Sequence, residues 1–350
     1  MNEYRKLTHE TSEPLEISII IPSNHSHLEL AVLSLQVANQ YATPAEIIII
    51  DTSNEPGECP KPIEKQCEKL GIRLVYHKRE RAYPGHARNL GIKLSSCQFI
   101  GFIDVETIPQ RDWTKQAMDL FRKDPGILGV WGKTTFEALS TFEKLSRDGI
   151  FGRLPRRTLP GTIINRTVLT KIGSFVEWAR AGEDTDWMQR VDLFGLNFCL
   201  SSDATLTYKG LLNKSPVDFG KKWLRNYTAS RSLPHLFPQK ILTWVTVYPT
   251  LVLMAFNWNN LIAGWETGSL FYIPNITKIA ATMPVILYIA LRGIIMPHRR
   301  GVPLRNILPL RWLSIALVCF IGDATKMLMF LIPTYIHRMS RSRIGGGFDS

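Results

Sequence analysis

Two unbroken runs of β-branched residues, ISIIIP at Ile17 to Pro22 and EIIIID at Glu46 to Asp51, constrain this chain more than any other feature. A strand with one wet face alternates apolar and polar residues. A continuous isoleucine run is stable only where both faces are covered, as in a parallel sheet between layers of helix. The segment between them, HLELAVLSLQVANQ, carries apolar residues at helical spacing, so the three pieces read as a βαβ unit. A further strand is predicted at Ile72 to Lys78, then a helix around Gly85 to Ser95, then a strand in QFIGFID. Strands alternating with helices from Leu15 to about Asp203 imply an open, mostly parallel α/β sheet flanked by helices. Such sheets bind ligands outside the carboxyl ends of their strands, and Asp51 and Asp104 lie at two of these ends.

The fourth strand runs directly into Asp104 and Glu106, two carboxylates separated by one residue. Side chains two apart in extended chain point the same way and can share one cation, or divide a cation and a sugar hydroxyl between them. Mg2+ and Mn2+ take oxygen ligands and commonly bridge one or two carboxylates to substrate phosphates. The plainer reading of such a pair is a solvated turn. A second acidic group, Gly182-Glu183-Asp184, reads equally well as a helix start, where acids meet the positive end of the helix dipole, and as a pair of working carboxylates.

With 45% hydrophobic residues in 350, the chain has a core and is not disordered. Its net charge of +12 calls for an anionic partner: nucleic acid, an anionic membrane surface or a phosphorylated substrate. The five cysteines are odd in number and lack C-x-x-C spacing, which indicates neither a disulfide framework nor a zinc site. The polar tail at residues 1–14 has no apolar core of a signal peptide, so the α/β domain at residues 15–215 is expected in the cytosol.

Beyond about Lys240 the chain changes character. ILTWVTVYPTLVLMAF is apolar but short, IAATMPVILYIALRGIIM is nearly uninterrupted, and WLSIALVCFIGDATKMLMFLIPTYI is long enough for a bilayer, which takes about 20 residues. Residues 241–336 are therefore expected to form two to three transmembrane or interfacial helices, followed by a basic tail at 337–350. A buried helical core is the alternative. The loop bearing Arg299, Arg300, Arg305 and Arg311 is expected on the cytoplasmic side, with the α/β domain. The third stretch fits a span poorly, because it would carry the basic tail across; Asp323 and Lys326 are spaced to pair within it. Residues 216–240 interleave Lys221, Lys222, Arg225 and Arg231 with Trp223, Tyr227 and Leu233, a pattern suited to a helix in the headgroup layer. The neighbouring apolar runs favour membrane lipids over nucleic acid as the anionic partner, at the inner cell membrane in a multi-pass arrangement.

The order ISIIIP, IIIID, HARNLGIKLSSCQFIGFIDVE, GTIINRTVLTKIGSF and GEDTDW resembles the nucleotide-sugar-dependent glycosyltransferases of family 2, across roughly Ile17 to Ser202. The resemblance implies the GT-A fold and inverting transfer of a sugar from a nucleotide diphosphate. It places the base at Asp184, with Glu183 orienting the acceptor. It assigns donor binding to Pro22, Asp51, Arg88 and Asp104, and a divalent cation, Mg2+ or Mn2+, to Glu106 with Asp104. Asn89 and Gly91 are expected to shape their helix instead of touching substrate. The chain departs from the family pattern at several positions. Glu106 stands where Asp is usual, Thr52 replaces the second acid after Asp51, and His25 replaces an Asn, either as a surface residue or reaching the donor. Tyr208 and Lys209 occupy the place of a histidine ligand, and Lys209 could neutralise phosphate directly. The implied partners are a nucleotide diphosphate-sugar and a lipid-linked or nascent glycan acceptor. A processive polysaccharide synthase is the rival within the family, though its Q-x-x-R-W motif is absent. A catalytically silent membrane scaffold is the rival outside it.

Overall fold

The computed structural model describes residues 16–331 apart from 202, 204, 210–214, 231–232, 234–248, 251, 255 and 262–265. The first half alternates as expected: β1 (Ile17–Ser23), α1 (His27–Ala38), β2 (Glu46–Asp51), α2 (Lys61–Leu70), β3 (Arg73–Lys78), α3 (Pro84–Leu94) and β4 (Phe99–Phe102). These strands pair in parallel in the order β3-β2-β1-β4. The isoleucine runs divide by parity between the two faces of the sheet. Ile19, Ile21, Ile47 and Ile49 join one buried cluster, while Ile20, Ile48 and Ile50 join the other. Each such side chain contributes about 1.5–3 kcal/mol on burial, which is why the run is continuous instead of alternating.

The second half is β5 (Thr107–Pro109), α4 (Trp113–Lys123), β6 (Gly129–Phe136), α5 (Thr141–Ser146), β7 (Arg156–Asn165), α6 (Thr167–Ile172), α7 (Glu183–Leu193), β8 (Phe198–Leu200) and β9 (Leu206–Tyr208). It extends the sheet to nine strands, in the order β3-β2-β1-β4-β7-β6-β9-β5 with β8 also beside β6. Here the sheet is mixed: β7 runs antiparallel to both β4 and β6, and β5 antiparallel to β9.

Two local devices set the strand ends. Ser26 caps α1 in a capping box with Glu29, which fixes the turn leaving β1. Pro84 opens α3, and Gly91 lets that helix lie on β1, because a Cβ there would come within 2.4 Å of the Ile20 side chain. Away from the ligand face, buried Glu46 ties four segments together by accepting from Ser18, Arg73, and the amide and hydroxyl of Ser96. Burial opposes its ionisation, but these donors prevail and pull its carboxyl from 4.5 down to about 2. A folded-state value below the unfolded one gives stability that is complete above about 4.5 and is lost as pH falls toward about 2. Glu46→Gln is therefore expected to cost about 3 kcal/mol at pH 7. Its deficit against wild type should shrink steadily in denaturant unfolding below pH 4. A deficit independent of pH would exclude the carboxylate as the source.

After the sheet come α8 (Pro216–Ser230), α9 (Ile276–Ala290) and α10 (Arg311–Leu331). The α9 helix continues without a break to Arg299, 24 residues in all, and is the one helix among the described residues long and apolar enough to cross a membrane. By contrast, α10 is held against the α/β domain. Its Ile315, Ala316, Val318 and Cys319 are buried, and a Cβ at Gly149 would meet Cys319 Sγ at 2.7 Å. Its amino end is tied down by Asp148, which is buried among Arg147, Arg153 and Arg311. Arg300 donates to the carbonyls of Gly149 and Ile150, both at 2.8 Å. The opposite face of α10 leaves Leu313, Leu317 and Phe320 exposed. Along its first half one face of this helix is packed on protein, and of the two to three transmembrane or interfacial helices expected, one among the described residues has the length and apolarity of a crossing. The pairing of Asp323 with Lys326 is also replaced: Asp323 pairs with Arg292 of the α9 helix at 2.8 Å, and Lys326 lies over the Tyr227 ring at 5.8 Å. Both terminal tails, and residues 241–248 of the first apolar stretch, fall outside the described residues.

Candidate active site

The carboxyl ends of β1, β2 and β4 open on one crevice, where the strand order turns back on itself between β1 and β4. Pro22 and Ser23 end β1, and Ser23 lies in register with Asp51 at the end of β2. Asp51 is fully buried, and Tyr76 (2.6 Å) and Lys78 (3.0 Å) both donate to its Oδ2. Its Oδ1 accepts from the Ser53 amide at 2.8 Å. Burial raises its proton affinity, yet Tyr76, Ser53 and Lys78 together hold the carboxyl below its ordinary range. Thr52, next along, turns its hydroxyl to the Ser23 carbonyl at 2.9 Å and closes the β1–β2 ends.

Asp104 and Glu106 follow β4 in a turn held by the Thr107 amide and hydroxyl, which both donate to the Asp104 carbonyl. Asp104 accepts from Arg88 at 3.0 Å. Glu106 faces His25 at 4.0 Å, and its backbone carbonyl accepts from the Lys209 amide at 2.8 Å. His25 thus turns into the crevice, between Glu106 and Glu29. Burial pushes the Glu106 carboxyl up, the nearby charges of His25 and Lys222 oppose this, and Asp104 adds to it. Tyr208 stacks on Phe136 at 5.7 Å and so serves the sheet.

Arg88 is the central side chain. It is 4% exposed, with one nitrogen on Asp104 and another on Glu183 at 2.7 Å, and its guanidinium lies over the Phe175 ring at 5.6 Å. Burial weakens its hold on the proton, but the charges of Asp104, Glu183 and Asp184 more than restore it, so it stays cationic. Glu183 opens α7 after Gly182, whose φ of 90° suits only glycine. It is buried against Arg88, and burial followed by the charge of Asp184 pushes its proton affinity up against the pull of Arg88. Its second oxygen has no partner among the described residues. Asp184 follows, partly exposed, accepting from the Thr185 amide at 2.7 Å. Gly91 packs against Ile20, and Asn89 ties α3 to the segment ahead of α7. Asn89 makes paired hydrogen bonds with the backbone of Phe175, both 2.9 Å.

Sequence reasoning missed the part that Tyr76 and Lys78 play at Asp51, and read Lys222 only as a residue of a headgroup-layer helix. The first two could have been found: Lys78 is the register partner of Asp51, and Tyr76 lies two residues earlier on the same face of β3. Lys222 lies on α8, and only the fold brings it near Glu106.

The donor set suits a cation held jointly with a ligand. Among the described residues no three His, Cys, Asp or Glu side chains gather as a self-sufficient cage. Glu106, with the Asp104 oxygen not used by Arg88, can supply the one or two carboxylates that Mg2+ or Mn2+ takes alongside phosphate oxygens and water.

Residues 18–179 match the glycosyl transferase family 2 model. The pre-mycofactocin glycosyltransferase of Mycobacterium tuberculosis is 23% identical over 193 residues, covering 50% of this chain and only 39% of that protein. Glycosyltransferase AglE of Haloferax volcanii is 20% identical over 249 residues, covering 66% of this chain and 80% of its own length. Among solved structures, the mannosyltransferase PcManGT of Pyrobaculum calidifontis, in complex with GDP-Man and Mn2+, aligns over 91% of this chain and 88% of its own. The TM-score is 0.50 and the identity 15%, a likeness of fold. The matched segment contains β1 through β7 with the Asp51, Arg88, Asp104 and Glu106 crevice, and the mixed sheet with its flanking helices is GT-A-like in fold.

Proposed function

We propose that the protein is an inverting glycosyltransferase that moves a sugar from a nucleotide diphosphate donor to a lipid-linked or nascent glycan acceptor at the cytoplasmic face of a membrane. The observation that carries this reading is the buried Arg88 bridge. It locks the acid at the end of β4 to the acid at the start of α7, so donor-side and acceptor-side carboxylates belong to one rigid site.

The nucleoside lies over the ends of β1 and β2, where Pro22 shapes the floor and Asp51, set by Tyr76 and Lys78, accepts from base or ribose. Asp104 addresses the ribose. Glu106, with Asp104, would hold Mg2+ or Mn2+, which when bound neutralises charge on the diphosphate. Asp184 takes the proton of the acceptor hydroxyl as that oxygen bonds to the anomeric carbon. The bond from that carbon to the phosphate oxygen breaks, and its electron pair leaves with the nucleoside diphosphate. Glu183, held by Arg88, positions Asp184 instead of meeting the acceptor itself, and Arg88 acts through the two acids it joins.

The membrane reading rests on the apolar α9 helix, the exposed leucines and phenylalanine of α10, and the arginine-rich loop between them. In this arrangement residues 15–215 form the catalytic domain, and α8 with the C-terminal helices attaches it to the leaflet from which a lipid-linked acceptor presents. The test is release of nucleoside diphosphate by the detergent-solubilised protein from a panel of UDP-, GDP- and dTDP-sugars, with Mg2+, Mn2+ or chelator, with and without a membrane-lipid extract. One donor should be turned over, faster with the extract. Thermal stabilisation by a donor without any release would instead mark a silent binding module.

A further inference from the structure

The loop after α9 and the segment at residues 147–156 form one basic surface. Together, residues 147–156 and 299–311 carry seven arginines and a single acid, Asp148. The two segments lie against each other. The amides of Arg153 and Leu154 donate to the Arg300 carbonyl at 2.8 and 3.1 Å, and a Cβ at Gly152 would come within 2.3 Å of the Arg300 Cβ. Asp148 is fully buried and already engaged by Arg147, Arg153 and Arg311. Arg156 and Arg300 are left over. Both converge on one oxygen, the Ile150 carbonyl, with Nη1 of Arg156 at 3.1 Å and Nη1 of Arg300 at 2.8 Å. The same nitrogen of Arg300 also donates to the Gly149 carbonyl. Among the described residues neither arginine has a carboxylate partner, and the Nε and Nη2 donors of both make no protein hydrogen bond.

Two cations on one neutral carbonyl repel each other, and an anion shared between them relieves that repulsion. A guanidinium fork fits phosphate oxygens with two N–H bonds at a time. The surroundings indicate which phosphate. Leu154, Leu304, Leu308 and Leu310 interleave with the arginines in sequence and stand exposed. Arg300 directly follows the 24-residue apolar helix that ends at Arg299. A helix of that length measures about 36 Å, against about 30 Å for the hydrocarbon core, so a crossing helix delivers Arg300 to the headgroup layer. We propose that Arg156 and Arg300 together bind the phosphate of an anionic membrane lipid, with the exposed leucines resting at the acyl boundary. This assignment rests on the membrane attachment of the proposed function and goes beyond it by naming the headgroup site. The site is also joined to the crevice. Phe151 stacks on Phe136 at 4.4 Å and Phe136 on Tyr208 at 5.7 Å, next to Lys209, whose amide holds the Glu106 carbonyl. A lipid bound here therefore seats that edge of the crevice at the leaflet surface.

The test is titration of the full chain, delipidated in detergent, with dioleoylphosphatidylglycerol or dioleoylphosphatidylcholine, the bound lipids being counted by native mass spectrometry. Wild type should prefer the anionic lipid. Arg156→Gln, at the exposed start of β7, should weaken its binding about fivefold and leave phosphatidylcholine unchanged. Arg156→Gln/Arg300→Gln should erase the preference. Arg122→Gln, which removes an exposed arginine of α4, should leave it intact and so controls for net charge. Equal preference in wild type and Arg156→Gln would overturn the assignment, as would an equal loss in Arg122→Gln. Displacement of the lipid by inorganic phosphate, against chloride at equal ionic strength, would identify a soluble anion as the ligand and overturn it too. Absence of any preference in wild type would remove the headgroup site and leave the transferase reading intact, since nucleoside diphosphate release in the same detergent tests that reading separately.

Discussion

Asp184→Asn should lower the turnover number for sugar transfer by about a thousandfold, with donor affinity close to wild type. The substitution keeps size and hydrogen-bonding reach but replaces the carboxylate with a non-basic amide, which cannot take the acceptor proton. Asp184 is partly exposed at the start of α7 and contacts Thr185, not the Arg88 bridge, so the fold has little stake in its charge. The measurement is kcat for nucleoside diphosphate release in the presence of acceptor, beside donor affinity by titration. Turnover within tenfold of wild type would remove Asp184 from the role of base. A matched loss of donor affinity would instead place it among the donor contacts.

Arg88→Met should cost about 3–5 kcal/mol of stability. The variant strands two carboxylates, Asp104 and the buried Glu183, with the countercharge between them gone. Lysine is no remedy, because one ammonium cannot hold two acids on different elements as the two guanidinium nitrogens do. Denaturant unfolding of wild type, Arg88→Met and Arg88→Met/Glu183→Gln measures the effect. The double variant should recover part of the loss, since neutralising Glu183 removes one stranded charge. A single variant as stable as wild type would show that the bridge does not hold the site together.

How far the sequence reaches is seen best at the individual side chains. The strands β1, β2 and β4 were legible because burial on both faces writes itself as an unbroken apolar run, and β3, half-buried at the sheet edge, from its place ahead of a crossover helix. The acids at their ends were legible for the same reason, since the end of such a run marks the ligand face. The antiparallel insertion of β7 between β4 and β6 was not. Its partners are far apart in sequence, and no local pattern encodes which strand lies beside which. Arg88 was found as an arginine near the site, but its two partners lie 16 and 95 residues away in the chain. A bridge across that distance exists only when α3, β4 and α7 have met.

The C-terminal region divides in the same way. Apolar composition by itself marked both α9 and α10 as candidates for a bilayer, because hydropathy counts side chains and not their neighbours. Only packing revealed that one face of α10 is already spent on the catalytic domain, through Ile315, Cys319 and the arginines around Asp148. The sequence alone therefore determined the sheet's parallel half, the ligand edge and the carboxylates on it, since these follow from local periodicity. Tertiary structure decided which charges meet, Arg88 with both Asp104 and Glu183. Electrostatic partners are chosen by proximity in space, and proximity is settled only after the hydrophobic faces have packed.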